Sequence, residues 1–243
     1  TSGDDNIALG RLALGAGVTT GNDNIAIGAT AGDALTSGSN NIAIGDTALS
    51  AATTSGSNIA IGANALAVSV DDGENNVAIG NTAMGGADVS GDSNVAIGHA
   101  SMDALTTGAC NIALGLNALG AATTACDNIA IGRLALSGAV ACGGAGQAEN
   151  NIAIGKDSLD GLTTGSNNIG IGNNAGGGTV TGNANISLGL TAANALTSGA
   201  CNIALGENAL GAATDNCDNI AIGRSALAVS DGVGDHNIGI GAL

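Results

Sequence analysis

Short apolar stretches recur along the whole chain at steps of 17 or 18 residues, and each has the form Asn-Ile-Ala-Ile-Gly or a close variant. Alternation of large β-branched residues with alanine over three positions is typical of a β-strand. The glycine four residues after the asparagine ends that strand at a sharp turn or a close backbone approach. An amphipathic helix does not fit, because it would meet a glycine every few residues at a cost of about 1 kcal/mol each.

Fourteen copies of this motif follow one another without a linker, and this indicates one repetitive domain over residues 1–243. The predicted fold is all-β, a parallel β-solenoid of about 14 coils with two or three short strands per coil. One longer step, from Asn128 to Asn151, contains an insertion at residues 138–149. The repeat asparagines are Asn6, Asn24, Asn41, Asn58, Asn76, Asn94, Asn111, Asn128, Asn151, Asn168, Asn185, Asn202, Asn219 and Asn237.

The two faces of each strand are expected to differ. We expect the isoleucines to point into the solenoid and the alanine between them to point out. The outward alanines then either keep an exposed face flat or allow close packing of identical chains. Stacked asparagine amides can bond along the solenoid axis, which favours a structural ladder over a ligand site.

Composition excludes several classes of protein. Phe, Tyr, Trp and Pro are absent, so a narrow interior is expected, filled by aliphatic residues. Twenty acidic residues against four basic ones disfavour a nucleic-acid partner. No apolar run is long enough to span a membrane. The basic residues Arg11, Arg133, Lys156 and Arg224 form no catalytic constellation in sequence, so neither an enzyme nor a cofactor is predicted.

The motif resembles a known repeat. The Asn-Val-Ala-Ile-Gly runs at Asn76–Gly80 and Asn94–Gly98 are similar to the head repeat of YadA-like trimeric autotransporter adhesins, and related repeats occur in phage tail fibres. The resemblance implies a left-handed parallel β-roll, a homotrimer, and a place on a bacterial or virion surface. This chain departs from the family in its longer repeat, and it shows no neck, stalk or anchor.

Four of the five cysteines lie near repeat asparagines in matching positions. Cys110 and Cys126 are 16 residues apart, as are Cys201 and Cys217. Each pair is expected at one corner of adjacent coils, where a disulfide or two buried thiols fit better than a metal. Bridges would indicate an oxidising, extracellular location. Cys142, in the insertion, is then a free thiol or an interchain link.

The function predicted from these features is a structural or adhesive fibre segment, a rod or spacer that associates as a trimer or end to end as a filament. Neither end carries an atypical capping repeat, which suggests a segment of a longer chain. Receptor contacts are expected elsewhere, because sugar sites commonly use aromatic rings.

The alternative is an ice-binding solenoid. It depends on a threonine column five residues before the asparagine in many coils, which is interrupted at Asp71, Val89, Gly146, Val180 and Gly232. The members are Thr19, Thr36, Thr53, Thr106, Thr123, Thr163, Thr197 and Thr214.

No catalytic role is expected for the two histidines or for the acidic turn. His99 and His236 are expected on the surface, without a catalytic partner. The acidic turn of residues 71–74 is either solvated or a weak cation site.

Overall fold

The computed structural model describes residues 3–15, 19–70, 73–138, 148–178, 181–228 and 234–242. The chain divides into two compact units, Thr1–Thr124 and Ala125–Leu243, and each is considered by itself. Whether the solenoid runs unbroken over residues 1–243 stays a prediction. Most of the predicted insertion, residues 139–147, lies outside the described residues.

Each unit is an all-β parallel solenoid, as predicted, with one strand of three residues per coil. The prediction of two or three strands per coil is wrong, because turns fill the rest of each coil. The described residues contain no helix. Unit 1 contains β1 (Ile7–Leu9), β2 (Ile25–Ile27), β3 (Ile42–Ile44), β4 (Ile59–Ile61), β5 (Val77–Ile79), β6 (Val95–Ile97) and β7 (Ile112–Leu114). Unit 2 contains β8 (Ile129–Ile131), β9 (Ile152–Ile154), β10 (Ile169–Ile171), β11 (Ile186–Leu188), β12 (Ile203–Leu205), β13 (Ile220–Ile222) and β14 (Ile238–Ile240).

Successive strands within a unit pair in parallel, motif residue on motif residue. The amide of Ile152 donates to the carbonyl of Asn168 on the next coil, at 2.8 Å. On the other side, the amide of Gly155 donates to the carbonyl of Ile131 on the preceding coil, also at 2.8 Å. Each strand is therefore bonded to a neighbour above and below, so the short strands gain stability from stacking.

Three residues of a typical coil adopt a left-handed backbone conformation, directly before the asparagine and six and eight residues after it. The last of these is often leucine, for which this conformation costs about 1–2 kcal/mol. Leu159 illustrates why it is tolerated. Its φ is 48°, yet its amide donates to the carbonyl of Ala175 at 3.0 Å and its side chain is 2 % exposed. Burial and the inter-coil bond offset the backbone strain.

The central alanine of the strand points into the solenoid, which is the reverse of the prediction. Ala153 and Ala204 are completely buried, whereas the flanking residues Ile152 and Ile154 are only half-buried. The reason is the two-residue period of a strand, which places the alanine on the same face as the buried repeat asparagine. The isoleucines therefore face outward.

Leucine and methionine from the turn supply most of the large side chains inside the coil, so only a small residue fits at the inward position of the strand. That residue is alanine in most coils, and glycine or serine in the others. A Cβ on Gly170 would lie 2.7 Å from Cγ of Leu159, and one on Gly239 would lie 2.6 Å from Cγ of Leu227. The interior is thus closely packed along these coils.

Candidate functional site: an outward aliphatic face

The outward residues of the strands form a continuous apolar surface in each unit. These residues, one and three after each repeat asparagine, are Ile, Val or Leu in every coil, and we call them the aliphatic face. In the inner coils their exposure reaches 37 % at Ile97, 38 % at Ile171 and 39 % at Ile222. These side chains therefore remain partly in contact with solvent.

The size of this surface can be estimated from strand geometry. Seven coils about 4.8 Å apart, with two columns of side chains, give roughly 400 Å² of apolar surface per unit. The largest apolar patch on an ordinary monomer is about 300–600 Å² and is often functional. Each unit therefore presents a patch of functional size.

The repeat asparagines lie inside the coils and form an unbroken chain of hydrogen bonds within each unit. Asn168 is typical. Its Oδ1 accepts from the backbone amide of Asn185 at 2.9 Å and from Nδ2 of Asn185 at 3.1 Å. Its own Nδ2 donates to Oδ1 of Asn151 at 3.2 Å and to the carbonyl of Gly182 at 3.0 Å. These polar atoms are satisfied by neighbouring coils, so the amides hold coils together and leave no group free for a ligand.

Both predicted disulfides are wrong, because Cys110, Cys201 and Cys217 are free thiols. In unit 2 the cause is a one-residue offset between the coils. Cys217 stacks on Ala200 and not on Cys201, and its Sγ lies 3.4 Å from the amide of Ala200. Cys142 lies outside the described residues, so its predicted role as a free or interchain thiol stays a prediction.

Free thiols predict a specific pattern of labelling. In the native chain without reductant, a maleimide should modify the exposed Cys110 and Cys201 quickly and the half-buried Cys217 more slowly. Peptide mapping by mass spectrometry measures the three rates. A Cys201 that becomes reactive only after reduction would contradict the free-thiol assignment.

One charged cluster is visible in unit 2. The carboxylate of Asp157 lies 3.5 Å from Arg133 and 3.2 Å from Lys156, and all three side chains reach solvent. Burial raises the pKa of the nearby Asp160, and the negative charge of Asp157 adds to that effect. Because the folded-state pKa is raised, Asp160 lowers the free energy of unfolding as pH rises through the window between its unfolded and folded pKa values.

The two histidines and the acidic turn are the remaining features singled out by sequence. His99 is exposed, and the exposed His236 lies 3.6 Å from the carboxylate of Asp218. Of the acidic turn, Asp71 and Asp72 lie outside the described residues. In the described part of the chain, no cluster of three His, Cys, Asp or Glu side chains is arranged to hold a metal.

The threonine column does not present a free row of hydroxyls. Thr36 donates to the carbonyl of Thr53 at 3.0 Å, Thr106 to that of Thr123 at 2.9 Å, and Thr197 to that of Thr214 at 2.8 Å. These hydroxyls link adjacent coils. Nothing in this geometry favours ice binding over a purely structural role.

None of the described segments is a helix long and apolar enough to cross a membrane. Comparison of the chain with protein-family models, with curated proteins and with solved structures finds no match. The aliphatic face is therefore the candidate site, on the strength of its geometry alone.

Proposed function

We infer that this chain is a structural segment of an extracellular fibre or filament, which associates with further copies of itself through the aliphatic face. The observation that carries this proposal is the outward orientation of two aliphatic residues in every coil. A face of aligned isoleucines is costly to leave in water, and a second identical face is flat enough to cover it.

The area of the aliphatic face supports a second copy of the chain as the partner. The face of each unit offers roughly 400 Å², so two copies that cover it bury about 800 Å² in total, the size of a weak and reversible interface. Solubility before assembly comes from the formal net charge of −16. The resemblance to adhesin head repeats fits the same role, that of a spacer whose receptor contacts lie elsewhere in the fibre.

The decisive variant replaces two members of the face with threonine, which keeps the β-branched shape that a strand favours. Ile97→Thr with Ile112→Thr should weaken self-association about 100-fold, because each change removes roughly 1–2 kcal/mol of buried apolar contact. Sedimentation velocity over a range of concentrations measures the dissociation constant. Thermal unfolding followed by circular dichroism should change little, because both side chains are outward.

A matched control lies in the same unit but off the face. Val68 and Val70 are 44 % and 40 % exposed, similar to the two isoleucines. Val68→Thr with Val70→Thr should leave association unchanged. If both double variants weaken association equally, or neither does, the aliphatic face is not the interface.

A further inference from the structure

The four basic residues of the chain occupy one and the same position of the repeat, five residues after the asparagine. They are Arg11, Arg133, Lys156 and Arg224, and all four are exposed. Scattering over a repeat of 17 or 18 positions would rarely produce this coincidence. Contacts within the chain do not explain it, because the exposed ion pairs of Arg133 and Lys156 with Asp157 contribute little.

This position lies beside the aliphatic face, just beyond the end of each strand. We call residues five and six after the asparagine the end margin, and the two residues before the asparagine the start margin. The start margin carries no lysine or arginine in any coil. In unit 2 it holds four acidic residues: Asp127, Glu149, Asp218 and Asp235. The end margin of unit 2 holds three basic and two acidic residues, so the two sides of the face differ strongly in charge.

Every coil with a lysine or arginine at its end margin also has a carboxylate at its start margin. The coil with Arg133 has Asp127 at its start margin, the coil with Lys156 has Glu149, and the coil with Arg224 has Asp218. In unit 1 the coil with Arg11 has Asp4 and Asp5. The reverse also holds, since the coils that carry Asp46 or Glu207 five residues after the asparagine have neutral start margins.

These partners cannot meet within one coil. Six residues of largely extended chain separate the start margin from the end margin, which amounts to roughly 15–20 Å. The matching therefore points to a contact between copies. Two faces that meet with the solenoid axes of the two copies parallel have their facing strands antiparallel, so the end margin of one copy lies beside the start margin of the other. Antiparallel axes would make the facing strands parallel and place acidic start margins against each other.

We propose that copies of this chain dock with their solenoid axes parallel and their coils in register, with the basic residues of the end margin paired to the carboxylates of the start margin of the same coil in the next copy. This rests on the proposed function and specifies the orientation and register of the partner. Apolar contact supplies the area, and the margins select the alignment by rejecting like-charge pairs.

Charge reversal tests the pairing. Arg133→Glu, Lys156→Glu and Arg224→Glu together should weaken self-association at least tenfold in sedimentation velocity, because attraction becomes repulsion at three places. Adding Asp127→Lys, Glu149→Lys and Asp218→Lys to the same chain should restore association. A merely structural effect of the substitutions would not be rescued in this way, and unfolding curves check that both variants are folded.

Orientation is tested by cross-linking, with Cys110→Ser and Cys217→Ser as the background. Cys201 is an exposed thiol at the start margin, and Glu207 lies at the end margin of the same coil. With Glu207→Cys, a short bismaleimide should give covalent multimers on a denaturing gel. The matched control Asn173→Cys, exposed in the same repeat position two coils away, should give few.

The outcomes separate the two proposals. Equal cross-linking from positions 207 and 173, or triple charge reversal without effect, overturns the parallel in-register pairing even if the Ile97 and Ile112 variant still dissociates. A chain that does not associate at all overturns both.

Discussion

Replacing Gly155 with alanine is expected to disrupt the coils around it. Gly155 ends β9 with a φ of +130°, a conformation that side chains rarely adopt, and an added Cβ would lie 2.4 Å from the carbonyl oxygen of Gly172. The carbonyl oxygen is part of the backbone and the added Cβ is fixed directly to it, so neither can rotate away. The clash can be relieved only by separating neighbouring coils. We expect a loss of about 4 kcal/mol or more in the free energy of unfolding, measured by urea denaturation.

Gly56 supplies the control for that experiment. It lies in a turn without a positive φ, and the nearest atom to an added Cβ is the carbonyl oxygen of Ser39 at 3.1 Å. Gly56→Ala should cost about 1 kcal/mol or less, since only a small adjustment is needed. Equal losses for the two variants would show that the turn after the strand is not a point of close coil contact.

Removing one amide from the asparagine ladder is expected to have the second largest effect. Asn168 is fully buried, and its side chain bonds to Asn151, Gly182 and Asn185. Asn168→Ala leaves the backbone amide of Asn185 and the carbonyl of Gly182 without these partners. Each unsatisfied buried group costs about 1–3 kcal/mol, so a loss of about 3 kcal/mol in the free energy of unfolding is predicted.

Two readouts distinguish this effect from general damage. Asn173 is exposed, and Asn173→Ala should change the free energy of unfolding by no more than about 0.5 kcal/mol. Hydrogen exchange should show that the backbone amide of Asn185 loses its protection in Asn168→Ala. An amide of Asn185 that stays fully protected would contradict its bond to the Asn168 side chain.

Repeat spacing was enough to predict the parallel solenoid and the position of every strand, because identical spacing forces identical residues into register. It was not enough to decide which face is inside. The volume of isoleucine suggested an inward orientation, but the interior is already occupied by turn residues such as Leu159 and Leu210. The informative signal was the two-residue spacing between the repeat asparagine and the alanine position, which puts both on the same face of the strand. That position accepts only Ala, Gly or Ser.

The cysteine error has a similar origin. Equal sequence separation placed Cys201 and Cys217 at the same corner, but the first directly precedes its asparagine and the second lies two residues before its own. In a parallel stack that single residue decides whether two thiols face each other. Likewise, the basic residues looked scattered in sequence until they were counted from the repeat asparagine.

The aliphatic face as the surface of self-association is tested most directly by sedimentation equilibrium of the unmodified chain at several concentrations, in the presence of reductant. One copy has a mass of 22.6 kDa. We predict masses that rise with concentration toward a multiple of that value. A mass that stays at 22.6 kDa up to the highest soluble concentration would contradict association through this face.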